Sequence, residues 1–180
     1  MTAPLWVFGY GSLLWHPGFP VAETRIARLE GWHRSFCMTS IHHRGTEAAP
    51  GLVLALDEAP GACCDGIGLR VEAGHEDATL AYLRERELIS SAYVETRQQI
   101  LFRDGTRQDD VLTYVINRDH VQYCQWSLPE QAQIIARAVG GRGPNDEYLY
   151  NTAAHLAELG IGDADLESLV TQVRALTGAT

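Results

Sequence analysis

Tyr93-Val94-Glu95-Thr96-Arg97-Gln98-Gln99-Ile100-Leu101-Phe102, followed by Asp104-Gly105 and then by Val111-Leu112-Thr113-Tyr114-Val115-Ile116, reads as a β-hairpin. Its β-branched and aromatic residues suit a pleated surface, and Asp-Gly supplies the left-handed geometry of a tight turn. Upstream, residues 5–10, 24–29, 34–40, 52–57 and 66–71 read as further short strands separated by Gly or Pro. One helix interrupts them, over residues 75–88, where Glu76 and Asp77 place negative charge at the positive helix start.

The last third is helical. Ser127-Leu128-Pro129-Glu130 is a capping-box pattern opening a helix that Gly140-Gly141 stops. Asn145 or Asp146 caps the next, which ends at Gly160, and a third starts near Asp163 with Leu166, Leu169, Val170 and Val173 forming an apolar stripe. Strands first and helices afterwards do not give the β-α alternation of a doubly wound sheet. The expected fold is α+β, a mixed, mostly antiparallel sheet curled into a small barrel with packed helices. At 180 residues, with no repeat, low-complexity tract or compositional break, residues 1–180 are expected to form a single domain.

Composition narrows the function. Twenty-three acidic residues against 14 basic ones leave a net charge of −9, a surface that repels phosphates and anionic lipid. Nucleic acid and membranes are therefore not expected as partners. The opening Met-Thr-Ala-Pro lacks the order of a signal peptide and no apolar run approaches a membrane span, so the expected location is cytoplasmic. Cys37, Cys63, Cys64 and Cys124 form no Cys-x-x-Cys and read as buried strand thiols. No unpaired apolar stripe demands a partner, and a monomer is expected.

Three segments carry candidate chemistry. In Phe8-Gly9-Tyr10-Gly11-Ser12-Leu13-Leu14 a strand enters a small-residue turn whose successive N–H groups can cradle a carboxylate or an oxyanion. Leu14 and Pro17-Gly18 break a dinucleotide fingerprint, and Tyr10 and Leu14 stand where a nucleophile elbow needs glycines. A ligand-free structural turn fits the same residues. In Tyr82-Leu83-Arg84-Glu85-Arg86-Glu87, helical spacing sets Leu80, Leu83 and Glu87 on one face and turns Glu85 and Arg86 away from it. Burial on that face would move Glu87 toward acid-base chemistry near neutrality, although a solvated surface glutamate satisfies the pattern too. In His42-His43-Arg44-Gly45, Arg44 offers a planar fork for a carboxylate. Adjacent histidines without matching carboxylate spacing make a weak case for metal, and an ordinary charged loop is the plainer alternative.

In this order and spacing the segments resemble the ChaC-type γ-glutamylcyclotransferases, the glutathione-degrading branch of the γ-glutamylcyclotransferase-like superfamily. The resemblance runs from Trp6-Val7-Phe8-Gly9-Tyr10-Gly11-Ser12-Leu13-Leu14-Trp15 through His43-Arg44-Gly45, Pro50-Gly51, Tyr82-Leu83 and Arg86-Glu87 to Gly143-Pro144-Asn145 and Glu147-Tyr148-Leu149. It implies that the turn formed by Gly9, Tyr10, Gly11, Ser12 and Leu13 lines a γ-glutamyl pocket and that Glu87 is the catalytic acid and base. Arg44, Tyr93 and Tyr148 complete the expected substrate-binding set, with roles that neither the residues nor the resemblance assigns. It also implies cyclisation of the glutamyl part of glutathione to 5-oxoproline, with cysteinylglycine released and no step for a metal or cofactor. Two alternatives stay open: a cyclotransferase for other γ-glutamyl amino acids or amines, and a non-catalytic γ-glutamyl-binding regulatory module.

Overall fold

The computed structural model describes residues 3–88 and 91–178. The strands are β1 (Trp6–Gly9), β2 (Val21–Ser40), β3 (Gly51–Val71), β4 (Tyr93–Phe102), β5 (Arg107–Ile116), β6 (Val139–Gly140) and β7 (Gly143–Pro144). The helices are α1 (Glu76–Glu87), α2 (Leu128–Arg137), α3 (Asn145–Glu158) and α4 (Ala164–Thr177), with one 3₁₀ turn at Ser12–Leu14. Five strands close a barrel in the order β1-β3-β2-β4-β5. β1 is antiparallel to β3 and parallel to β5, while β4 is antiparallel to both β2 and β5. The α+β class and the mixed barrel agree with the sequence expectation.

Backbone contacts divide the chain into two compact units, residues 1–34 with 56–120, and residues 35–55 with 121–180. In the first, Val7, Phe8, Leu29, Leu69, Ile100 and Leu112 from the strands and Leu83 from α1 are fully buried. Each such side chain contributes roughly 1.5–3 kcal/mol through removal from water. In the second, α2, α3 and α4 pack on one another, burying Ile135, Leu149, Leu169 and Val173, together with Phe36, Leu52 and Leu54. Val170, expected on the α4 stripe, is half-buried at its margin.

Several boundaries differ from the sequence reading. The expected pairs 24–29 with 34–40, and 52–57 with 66–71, are each one long strand. Gly31 and Gly61 adopt φ of 87° and 85°, so each absorbs a kink that other residues resist without ending its strand. β5 begins at Arg107 rather than Val111. Asp109 and Asp110 together face Gln99, between the pairs Gln98 with Val111 and Ile100 with Gln108. This bulge, with Asp110 at φ 58°, makes the polar start of the strand look like loop in sequence.

The Ser127 box forms as read: Ser127 Oγ accepts from the Glu130 N–H at 3.3 Å and Glu130 Oε2 accepts from the Ser127 N–H at 3.2 Å. Asp163 caps α4 through the Leu166 N–H. Neither Asn145 nor Asp146 caps α3; Pro144 precedes the helix without a side-chain cap. Asn145 instead accepts from the Leu52 N–H and donates to the Leu52 carbonyl, both at 2.8 Å. Two cysteines also depart from the expectation of buried strand thiols. Cys63 is exposed, and Cys124 is half-buried outside the strands, with burial pushing its thiol up to about 11.

Candidate active site

The glycine turn follows directly from β1. Gly9 ends that strand opposite Ile67 of β3, and a Cβ on neighbouring Gly66 would stand 2.3 Å from the Gly9 carbonyl oxygen. The two backbones therefore meet at a distance only glycine permits. The turn's hydrogen bonds begin with the Leu14 N–H donating to the Gly11 carbonyl at 2.9 Å, followed by the His16 N–H to the Ser12 carbonyl at 2.9 Å. The N–H groups of Gly11, Ser12 and Leu13 thus lie ahead of the first bond, where a helical start leaves donors for an outside acceptor.

Tyr10 is buried, its hydroxyl donating to the Tyr114 carbonyl at 2.7 Å. The turn is held from below by Arg34, which is also buried and donates from Nε to the Tyr10 carbonyl at 2.9 Å and from Nη2 to the Asp65 carbonyl.

Glu87 is the last residue of α1, and its side chain is 16% exposed. That helix buries Thr79 and Leu83, so Glu87 lies one turn beyond Leu83 on the inward face, as its spacing indicates. Arg86 does not point away as the spacing predicts. Its side chain is 9% exposed, with Nε 3.4 Å from Glu87 Oε1 and Nη2 donating to Ser12 Oγ at 2.9 Å. A helical wheel gives the direction of a Cα–Cβ bond, whereas the long arginine stem bends back to acceptors the wheel does not contain. The only sequence signal for Arg86 is its position beside Glu87 within the family motif.

On the barrel strands, Tyr114 donates its hydroxyl to Glu95 Oε1 at 3.0 Å. Arg84 grips both oxygens of Glu95 at 3.0 Å. That guanidinium holds the Glu95 carboxyl below the usual carboxylate range, with the Tyr114 hydroxyl assisting against the opposing effect of burial. Burial raises the Tyr114 phenol, reinforced by its bond to Glu95 and by the charges of Glu95 and Glu87. Tyr114 therefore stays a neutral donor at physiological pH. Tyr93 opens β4, half-buried, opposite Ile116.

In the first unit the structure brings Gly9, Tyr10, Gly11, Ser12 and Leu13 into one turn, and the Arg86 bridge links that turn to Glu87. Arg44 and Tyr148 belong to the second unit. There Arg44 is buried, donates from Nη1 to the Pro144 carbonyl at 3.1 Å and lies 3.6 Å from Glu147 Oε1. Its guanidinium stands 5.8 Å from the centre of the Tyr148 ring. The Tyr148 hydroxyl accepts from the Leu54 N–H at 3.1 Å. The preceding His42 and His43 carbonyls accept from the Gly141 and Arg142 N–H groups, which makes the histidine segment a hydrogen-bonded junction. Of the loop between α1 and β4, Ile89 and Ser90 lie outside the described residues. Among the described residues no three His, Cys, Asp or Glu side chains gather as a metal site would require, and no helix is long and apolar enough to cross a membrane.

A closed mixed barrel with a glycine turn after its first strand and a glutamate ending its first helix places this chain in the γ-glutamylcyclotransferase-like fold class. A crystal structure of the γ-glutamyl cyclotransferase specific to glutathione from yeast superposes with a TM-score of 0.85 at 22% identity, covering 97% of this chain and all of the other. A further γ-glutamyl cyclotransferase structure gives 0.61 at 17% identity over 93% of this chain and 86% of the other. The chain belongs to the ChaC-like protein family, whose sequence profile matches residues 5–176.

Its relatives include the glutathione-specific γ-glutamylcyclotransferase of Escherichia coli K12, 34% identical over 96% of this chain and 74% of that protein. Another is γ-glutamylcyclotransferase 2-3 of Arabidopsis thaliana, 33% identical over 94% of this chain and 88% of that protein. The glutathione-specific γ-glutamylcyclotransferase 1 of Danio rerio is 36% identical over 83% and 77% respectively. The family resemblance read from the motifs is borne out.

Proposed function

We propose that this protein is a glutathione-specific γ-glutamylcyclotransferase that releases 5-oxoproline and cysteinylglycine, with Glu87 as the acid and base. One observation carries the reading: a half-buried carboxylate, Glu87, is tied through Arg86 to the serine of a glycine turn whose first N–H groups precede its own hydrogen bonds. The family membership and the names of the relatives supply the substrate class. The match across residues 5–176 supports treating the chain as one functional domain. The proposed setting is cytoplasmic, where a reducing compartment leaves the cysteines as thiols, and the proposed state is a monomer, since no unpaired apolar stripe in the sequence demands a partner.

Glu87 takes a proton from the glutamyl α-ammonium, freeing the nitrogen lone pair. That nitrogen attacks the γ-carbonyl carbon of the same glutamyl group, forming the C–N bond of a five-membered lactam while the carbonyl electrons move onto oxygen. Intramolecular closures of this kind reach effective molarities of about 10⁵ M or more, so no protein nucleophile is needed. The Gly11, Ser12 and Leu13 N–H groups are donors for the α-carboxylate or for the developing oxyanion. The ring nitrogen, cationic after its attack, loses its second proton and the oxyanion collapses. The bond to the cysteinyl nitrogen breaks as Glu87 returns its proton to that nitrogen, and the released amine takes up the second proton as its ammonium. No water is consumed.

Purified protein incubated with glutathione, with and without a chelator and beside Glu87→Gln, tests this by mass spectrometry. Both products are expected from the wild type, with turnover lower by about 10² or more in the variant. No product from the wild type would overturn the glutathione reading, and near-normal turnover in Glu87→Gln would remove Glu87 from the mechanism. Comparable rates on glutathione and γ-glutamyl-alanine would sink the strict specificity.

A further inference from the structure

We propose that Arg86 is a positioning residue that clamps the Glu87 carboxylate to the glycine turn, an inference that rests on the function proposed above. Adjacent residues of a helix point about 100° apart, and their side chains do not face one another. Arg86 Nε nevertheless lies 3.4 Å from Glu87 Oε1. The other edges of the guanidinium explain the bend. Nη1 donates to the His16 carbonyl at 2.7 Å and to the Pro17 carbonyl at 3.1 Å, and meets the Tyr82 hydroxyl at 3.3 Å. Nη2 donates to Ser12 Oγ at 2.9 Å.

Two of these anchors are backbone carbonyls of the segment leaving the turn, which the His16 N–H bond to the Ser12 carbonyl folds back. Their position does not depend on a rotamer. The guanidinium plane is thereby fixed, and the edge left over is the one presented to Glu87. Both side chains are largely withdrawn from solvent, so salt screens the pair weakly.

Two consequences follow for a carboxylate that must accept a proton and return it. The clamp sets the orientation of one Glu87 oxygen relative to Ser12, and its charge favours the ionised form that begins the cycle. Lysine would supply charge without the fork, since an ammonium cannot span carbonyl, hydroxyl and carboxylate acceptors in one plane.

Arg86→Gln and Arg86→Lys test the proposal with three readouts: the thermal midpoint, the pH profile of kcat and kcat/KM on glutathione, and the ¹³C NMR titration of the Glu87 carboxyl in ligand-free protein. The carboxyl signal is assigned by its loss in Glu87→Gln. In Arg86→Gln the Glu87 titration moves upward, the ascending limb of kcat/KM moves with it, and kcat falls at least about tenfold with a smaller change in KM. Arg86→Lys keeps the titration near its wild-type position but still loses kcat, because charge is retained and the fork is not.

An unmoved Glu87 titration in a folded Arg86→Gln, or wild-type kcat in either variant, overturns the clamp. Should Arg86→Gln fail to fold, kcat of Arg86→Lys decides. A wild type inactive on every γ-glutamyl peptide instead defeats the proposed function, and the carboxyl titration, which needs no turnover, still decides for or against Arg86.

Discussion

The hydroxyl of Tyr10, in the glycine turn, donates a 2.7 Å hydrogen bond to the main-chain carbonyl of Tyr114 in β5. The ring is thus pinned at its far end to the barrel, while Arg34 holds the Tyr10 carbonyl. Tyr10 shapes the turn through a fixed ring, with its hydroxyl proton already committed to protein. Tyr10→Phe is therefore expected to cost about 1 kcal/mol of stability, seen as a lower urea midpoint with an unchanged slope. KM for glutathione should change only severalfold. A loss of kcat as large as that of Glu87→Gln would instead put the hydroxyl in the chemistry.

Glu95 carries a pH-dependent contribution whose sign follows from Arg84. The guanidinium holds the Glu95 carboxyl below its ordinary value in the folded protein. The stabilisation is therefore fully present above the unfolded pKa of about 4.3 and is lost as pH falls through the lower folded value. Glu95→Gln keeps an oxygen for the Tyr114 hydroxyl and removes only the charge. The thermal midpoint of the variant should lie below the wild type at pH 7, with the gap closing as pH drops below about 4. A gap that widens on acidification would reverse the assignment.

Gly66 limits how closely β3 can approach the turn. A Cβ there would meet the Gly9 carbonyl oxygen at 2.3 Å, and that neighbour is backbone rather than the end of a flexible side chain. Gly66→Ala should therefore displace the base of the turn, costing about 1–3 kcal/mol and lowering kcat/KM on glutathione. Gly61→Ala is a useful contrast: its φ of 85° strains any side chain, yet no atom lies within 4 Å of its Cβ position. It should lose stability with kcat/KM retained. Equal losses of kcat/KM in both variants would show that the Gly66 contact has no special bearing on the turn.

What the sequence made legible was local. The Asp104-Gly105 hairpin, the Ser127 capping box, the start of the last helix near Asp163 and the inward register of Glu87 each depend on residues within a turn of one another, and each is present. The long strands were hidden because Gly31 and Gly61 read as breaks, while a strand held by neighbours in a barrel passes through a single positive φ. Asp109 and Asp110 disguised the start of β5 because a bulge breaks the two-residue alternation. Arg86 was misdirected for a different reason: its acceptors at His16 and Pro17 are about 70 positions away, and no periodicity within α1 encodes them.

Asn145 illustrates the same limit and gives the last prediction. Local pattern makes it a helix cap, whereas its amide closes a pair of 2.8 Å bonds with the Leu52 N–H and carbonyl, fully buried. A side-chain amide here substitutes for a strand neighbour, giving β3 both a donor and an acceptor that no aliphatic residue can supply. Asn145→Ala leaves both Leu52 groups unsatisfied and should destabilise the protein by about 2–4 kcal/mol, whereas Asp146→Ala should change stability by no more than about 1 kcal/mol. Asn145→Asp separates the two bonds, since an ionised carboxylate accepts from the Leu52 N–H and cannot donate to its carbonyl. It should fall between wild type and alanine at pH 5, where full burial of the site favours the protonated acid, which can donate, and lose that advantage at pH 7. Urea unfolding of the three variants at pH 5 and pH 7 decides, and an Asn145→Ala midpoint equal to that of the wild type would return Asn145 to the role of a replaceable helix-end residue.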